Sequence, residues 1–297
     1  MVMVSAVSCS GVRMEERCDI LIVPPSPLTR AEDPDECLIS DYNLFIFNSF
    51  GILEEKRYVS VREHSGGNVH HVTTLLRDAP YSIFVAANIG YELPCNNMDD
   101  INEYRYHLAY PDEYSMGIPM AGRAENVAAG DDGVIVVPLE RLMARVQLSV
   151  DRTLLPADAS LGVERVTVGA CPSSARLFRE SKALSSDHLF NSGYTKTGLE
   201  VDALNRDVAP GISGTLNLYL LENCQGEVSA MESPRELELC STLEIRITYR
   251  SQNFSTAPGK PVVYSFRLGE GEGNCDVRRN TSYTYTLKIT EEGIRGL

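Results

Sequence analysis

Leu243, Ile245, Ile247 and Tyr249 alternate with Glu244, Arg246, Thr248 and Arg250, and no other feature constrains the fold of this chain as strongly. A β-strand turns successive side chains to opposite faces, so a two-residue period gives one buried face and one wetted face. The same period runs through Tyr283, Tyr285, Leu287 and Ile289, and again through Leu216, Leu218 and Leu220. Further strands are expected over 18–23, 43–48, 57–61, 69–75, 82–87, 164–168 and 262–268. Turn residues separate several of them, as in Asn48-Ser49-Phe50-Gly51 and Ser65-Gly66-Gly67-Asn68. Short strands punctuated by turns make sandwiches, not alternating strand–helix units, so the fold class is all-β with few short helices.

Helical spacing is confined to two places. Ile101, Tyr104, Arg105 and Leu108 share one side of a helix expected over 99–110, with Asn97 or Asp99 as its cap. Leu139, Leu142, Met143 and Val146 have helical spacing after Pro138, yet Val146, Leu148 and Val150 alternate like a strand. This second stretch is open between the two. The small, polar, Gly-rich run 121–133 reads as a linker. With 297 residues the chain has room for two sandwiches of roughly 100 residues each. The division expected is an N-terminal segment 1–17, a domain 18–136 and a domain 137–297.

The formal charge of −14, from 27 basic and 41 acidic residues, argues against nucleic acid, which needs clustered Lys and Arg. The eight cysteines, Cys9, Cys18, Cys37, Cys95, Cys171, Cys224, Cys240 and Cys275, contain no C-x-x-C pair, so a zinc ribbon has no support. Their pairing stays open between disulfides and buried thiols. His70 and His71 are adjacent, and on a strand they point apart, which disfavours one shared metal. No nucleophile elbow, P-loop or metalloprotease helix occurs. Gly269-Glu270-Gly271-Glu272-Gly273 carries carboxylates that would repel a phosphate and reads as a hairpin loop. The chain is not expected to be an enzyme, and neither a cofactor nor a metal is implied. A glycosidase is the weakest reading, since its two carboxylates need not be close in sequence.

Near the start, Ala6, Val7 and Ser8 precede Cys9 as small residues precede the lipidated cysteine of a bacterial lipobox. The stretch before Cys9 is shorter than a full signal peptide. No segment reaches the ~18 apolar residues of a transmembrane helix.

Several segments together resemble the fimbrillin superfamily of type V pili, most closely its fimbrillin-associated anchor lipoproteins. They are Cys9 with Arg17-Cys18-Asp19, then Leu44-Phe45-Ile46-Phe47-Asn48-Ser49-Phe50-Gly51, Ala86-Ala87-Asn88-Ile89-Gly90 and Gly117-Ile118-Pro119-Met120-Ala121-Gly122. Leu139-Glu140-Arg141-Leu142-Met143-Ala144-Arg145-Val146 follows, then Leu221-Glu222-Asn223-Cys224-Gln225-Gly226, Tyr264-Ser265-Phe266-Arg267-Leu268-Gly269 and Val277-Arg278-Arg279-Asn280-Thr281-Ser282-Tyr283. The resemblance implies two transthyretin-like β-sandwiches in tandem, a strand over 139–150, a lipid on Cys9 and a place at the outer membrane in a fimbria. It implies pilin subunits as partners, engaged by strand exchange. Ile20, Leu21 and Ile22 in the first strand and Tyr283, Tyr285 and Leu287 in the last are the strand-exchange candidates. Arg30-Ala31 is a candidate processing bond for an arginine-specific protease. An anchoring or accessory subunit is the leading expectation, because the tail after the last strand is short. A stalk or tip pilin cut at Arg30, with an adhesive role and an unknown host ligand, and a glycan-binding surface lipoprotein are the alternatives.

Overall fold

The computed structural model describes residues 15–26, 34–61, 67–77, 79–108, 114, 117–184, 191–206, 210–228, 234–251, 259–271 and 273–295. Strands dominate it. The first half contributes β1 (Glu15–Val23), β2 (Asp41–Asn48), β3 (Leu53–Ser60), β4 (Val69–Leu76), β5 (Tyr81–Ala87), β6 (Met120–Val127) and β7 (Val134–Pro138). The second half contributes β8 (Met143–Asp151), β9 (Ser160–Pro172), β10 (Asn191–Thr197), β11 (Leu216–Leu221), β12 (Thr242–Arg250), β13 (Lys260–Arg267) and β14 (Ser282–Lys288). The all-β class read from the sequence is borne out.

Each half folds as two facing sheets. In the first, one sheet has the order β4-β1-β7 and the other β3-β2-β5-β6, extended at its edge by the two-residue strand Glu140–Arg141. In the second, the orders are β11-β8-β14 and β10-β9-β12-β13. Adding seven to every strand number of the first half reproduces the second. The directions match as well: β1 runs parallel to β7 and antiparallel to β4, and β8 runs parallel to β14 and antiparallel to β11. The chain therefore repeats one wiring twice.

Among the described residues the core has three large compartments and a small fourth one of Val228, Cys240 and Cys275. Cys18, Ile20 and Ile22 of β1 pack with Leu44, Ile46, Ile83, Val85 and Val137 between the sheets of the first half. Val146, Leu148 and Val150 of β8 pack with Leu218, Ile245 and Ile247 between those of the second. A third compartment lies on the opposite face of β2 and β5, where Phe45, Phe47 and Phe84 meet Leu142, Met143, Leu177, Phe178 and Leu221. β2 and β5 are consequently buried on both faces, which is why 44–47 and 83–87 are unbroken apolar runs without alternation.

Three local expectations change. The stretch 121–127, read as linker, lies in β6, and only 128–133 connects strands. Gly122 there is a close-approach residue: a Cβ would stand 2.1 Å from the carbonyl oxygen of Pro138. The helix expected over 99–110 stops early. Its one helix, α1 (Met98–Glu103), is capped by the Asn97 side chain, which accepts from the Asp100 amide at 2.8 Å. After it, Arg105–His107 pairs with Ser174–Arg176 as a short ladder across the two halves, and that pairing overrides the helical spacing. The ambiguous stretch resolves as strand from Met143 onward, because β8 is paired on both sides.

Candidate strand-pairing site

β1 occupies the middle of a three-stranded sheet. Ile20 stands opposite His71 of β4 and Ile135 of β7, and Ile22 opposite Val69 and Val137. The Asp19 amide donates to the Gly133 carbonyl at 2.8 Å, and the Val23 carbonyl accepts from Leu139 at 2.8 Å. Cys18, Ile20 and Ile22 point inward with no exposed area, filling a groove that β4, β7 and the facing sheet define. Leu21 points the other way and is half-buried. The arrangement has the two parts of a strand-binding groove: main-chain ladders on both flanks and alternate pockets for Cys18, Ile20 and Ile22.

Side chains fasten β1 on its outer face at Asp19 and at its start at Glu16. His70 Nδ1 lies 2.7 Å from Asp19 Oδ2, and Arg77 Nη1 lies 3.1 Å from Glu16 Oε1. His71, on the opposite face of β4, is hydrogen-bonded to the Tyr42 hydroxyl at 2.9 Å and to Glu55 at 3.2 Å, so the adjacent histidines do point apart. Burial, aided by Glu55, pushes the Tyr42 hydroxyl up to about 12. Burial also raises the Cys18 thiol, with smaller contributions from Asp19 and Asp132. Among the described residues no three His, Cys, Asp or Glu side chains converge as a metal ion would require.

The chain leaving β1 is clamped to the second half. Arg141 donates through Nη2 to the Ser26 carbonyl at 2.9 Å and through Nε to the Glu36 carbonyl at 2.8 Å. Its Nη1 reaches Asn280 Oδ1 at 2.9 Å. Glu36, in the 3-10 turn Pro34–Cys37, turns its carboxylate to Arg145 and accepts from the Tyr219 hydroxyl at 2.7 Å. Arg30 and Ala31 lie outside the described residues, as does Cys9. The segments flanking Arg30-Ala31 are thus both held by one guanidinium. Sequence reasoning missed this clamp. Its signal was the pair of arginines, Arg141 and Arg145, set in an otherwise apolar run.

The last strand is placed differently. Tyr283, Tyr285 and Leu287 face the second core from β14, at the edge of its sheet and beside β8. The Tyr283 hydroxyl donates to the Asp276 carbonyl at 3.1 Å, and the Tyr285 hydroxyl to the Gly269 carbonyl at 3.2 Å. Downstream, Ile289 and Ile294 are buried, and Lys260 Nζ donates to the Ile294 carbonyl at 2.6 Å. β14 is pinned across the sandwich and behind itself.

Two sandwiches of one wiring, joined by a shared apolar compartment, make a fold that this chain shares with solved fimbrial proteins, and the resemblance read from the sequence is borne out at the level of fold. The chain is similar over its length to the tip fimbrial protein Mfa3 from Porphyromonas gingivalis, solved with a C-terminal truncation (15% identity, 93% of this chain and 96% of that one, TM-score 0.61). It is likewise similar to a fimbrilin, FimA, from Porphyromonas gingivalis W83 (14% identity, 92% and 90%, TM-score 0.59). A fimbrial assembly protein from Parabacteroides distasonis also matches (13% identity, 93% and 92%, TM-score 0.51). No protein-family model matches the sequence, and no curated protein sequence does.

Proposed function

We propose that this chain is a non-enzymatic subunit of a cell-surface fimbria, acting as an anchoring or accessory component that pairs with pilin by strand addition. In this reading Cys9 carries the lipid that holds it at the outer membrane, and β1 stays in its groove. The observation that supports the reading most is the seating of β1, laddered on both flanks, with Arg141 clamping Ser26 and Glu36 on either side of the candidate processing bond. A subunit that keeps its own strand there offers no open groove, so it would end a polymer at that site.

Mass spectrometry of the protein taken from native fimbriae tests it. The expected result is an acylated Cys9 with the Arg30–Ala31 bond intact, and Cys9→Ala should move the protein from the membrane to the soluble fraction. A native N-terminus at Ala31 contradicts the anchor reading. It would favour the second one, a polymerising stalk or tip pilin. The repeated wiring makes that alternative concrete: β8 is threaded between the two sandwiches and cannot leave, whereas β1 can be lost without cutting the rest of the fold.

A further inference from the structure

Cys240 and Cys275 lie together in the smallest compartment of the core, buried with Val228 and packed against Leu237. Among the described residues no other two cysteines share a buried cluster: Cys18, Cys95 and Cys171 each fall in a different one. The Cys240 thiol donates to the Glu236 carbonyl at 3.6 Å and has the Cys275 side chain within hydrogen-bonding reach. Both cysteines stand as thiols in this structure.

The backbone brings the two together from separate parts of the second half. Cys240 closes the turn after the short helix Pro234–Leu237, its amide donating to the Leu237 carbonyl at 3.3 Å. The carbonyl of the next residue, Ser241, accepts from the Leu268 amide at 2.8 Å. Gly269 then runs against Cys275: a Cβ on that glycine would stand 2.9 Å from Cys275 Cα. Cys275 lies on the strand Asn274–Val277, which pairs with Asn223–Glu227, and the Val228 amide reaches the Gly273 carbonyl at 3.0 Å. In that ladder Cys224 stands opposite Asp276 and shares its face, so Cys275 turns to the other face, where Cys240 lies. The strand alternation thus selects Cys240 as the neighbour of Cys275 and sets Cys224 apart.

We propose that Cys240 and Cys275 are a disulfide-forming pair, oxidised as the chain folds, that staples the entry to β12 to the strand leading into β14. The folded protein covers both thiols, so the bond forms on the folding chain, where an oxidant can reach them. That oxidant is another disulfide, either a small molecule or a protein. One cysteine thiolate attacks a sulfur of it and expels one of its thiolates. The other cysteine thiolate then attacks the mixed disulfide at the protein sulfur and expels the second. The protein thiols lose two protons and two electrons, and the oxidant leaves as two thiols. The bond closes a loop of about 35 residues holding β12 and β13, which restrains the unfolded chain. It also fixes the strand whose continuation carries Arg279 to the Leu177 carbonyl and Asn280 to Arg141. None of this depends on the fimbrial reading.

Refolding the denatured, reduced full chain tests the pair, once with mixed oxidised and reduced glutathione and once with reduced glutathione alone. Free thiols are then blocked, and the chain is digested with trypsin without reductant. Residues 236–246 should be found joined to 268–278 after the first refolding, and separate and blocked after the second. The oxidised protein should have a Tm at least about 5 °C above that of the reduced one. Cys275→Ala should erase that difference, and Cys224→Ser should leave the cross-link in place. The peptide map is read on the wild-type chain, so it decides the matter even if a variant does not fold. Separate, blocked 236–246 and 268–278 peptides after oxidative refolding would overturn the proposal. So would either peptide joined mainly to a different cysteine, or equal Tm values for the oxidised and reduced chains.

Discussion

Arg145 and Glu36, 109 residues apart in the chain, meet at 2.9 Å with side chains 4% and 2% exposed. The pair joins the turn that follows β1 to the first strand of the second sandwich, and Arg141 and Tyr219 complete it. A buried pair contributes less than its Coulomb energy suggests, but removing one member leaves the other charge stranded. Glu36→Gln is therefore expected to cost about 3–5 kcal/mol in urea unfolding. Glu36→Gln combined with Arg145→Met should recover part of that loss. A single substitution costing under about 1 kcal/mol would mean that water reaches the pair.

The facing of β1 makes a second prediction. Ile20 fills the groove with no exposed area, while Leu21 lies on the outer side. Ile20→Ala should cost about 2–5 kcal/mol and Leu21→Ala less than about 1. Equal costs, read from denaturant midpoints, would mean the strand sits in another register.

Asp41 gives a signed pH dependence. Burial raises its carboxyl above the ordinary 3.8, against the amides of Gly90 and Ile89, which donate to it. A raised carboxyl binds its proton more firmly folded than unfolded. Its contribution to stability is thus present at acid pH, falls as pH rises through the folded pKa, and stays lost above it. Asn at this position does not titrate. The stability of the wild type minus that of Asp41→Asn is expected to be larger at about pH 3 than at about pH 7. Urea midpoints of both proteins at the two pH values check the sign.

The thiols should be inert in the folded protein. Burial pushes Cys171, Cys224 and Cys240 up to about 12, with neighbouring Glu222 adding to Cys224 and the Cys275 thiol to Cys240. At about pH 8 roughly one molecule in ten thousand then carries the reactive thiolate at each site. Ellman's reagent should react with these three at negligible rates until denaturant is added. Prompt native labelling of any of them would mean its surroundings open readily.

How much the sequence revealed depended on how many faces a strand buries. β12 buries Leu243, Ile245, Ile247 and Tyr249 and turns Glu244, Arg246 and Thr248 outward, so its period was plain to read. β2 and β5 bury both faces, and only their apolar runs marked them. β6 escaped notice because Ala121 and Gly122 are small for packing reasons: Gly122 lets the Pro138 carbonyl approach. Of the strand-exchange candidates in the first strand, Ile20 and Ile22 face the groove, and alternation within β1 sends Leu21 away from it. The doubled wiring left no trace in sequence, because it is carried by strand order and not by any repeated residue.

The parallel pairing of β1 with β7, and of β8 with β14, has a mechanical consequence. Tension applied upstream of β1 enters the first sandwich at one end of that pair and leaves from β7 at the opposite end. It then enters β8 and leaves β14 in the same way. Each pair is loaded in shear, so its rungs must break together and not one after another. Two such clamps stand in series along the line of pull. Attachment upstream of Glu15 and at Arg77 changes the geometry, because Glu15 and Leu76 sit side by side in the antiparallel ladder. There β1 is peeled rung by rung. Single-molecule pulling should find a markedly higher rupture force along the shear direction than along the peeling one, and equal forces would mean that the ladders do not carry the load.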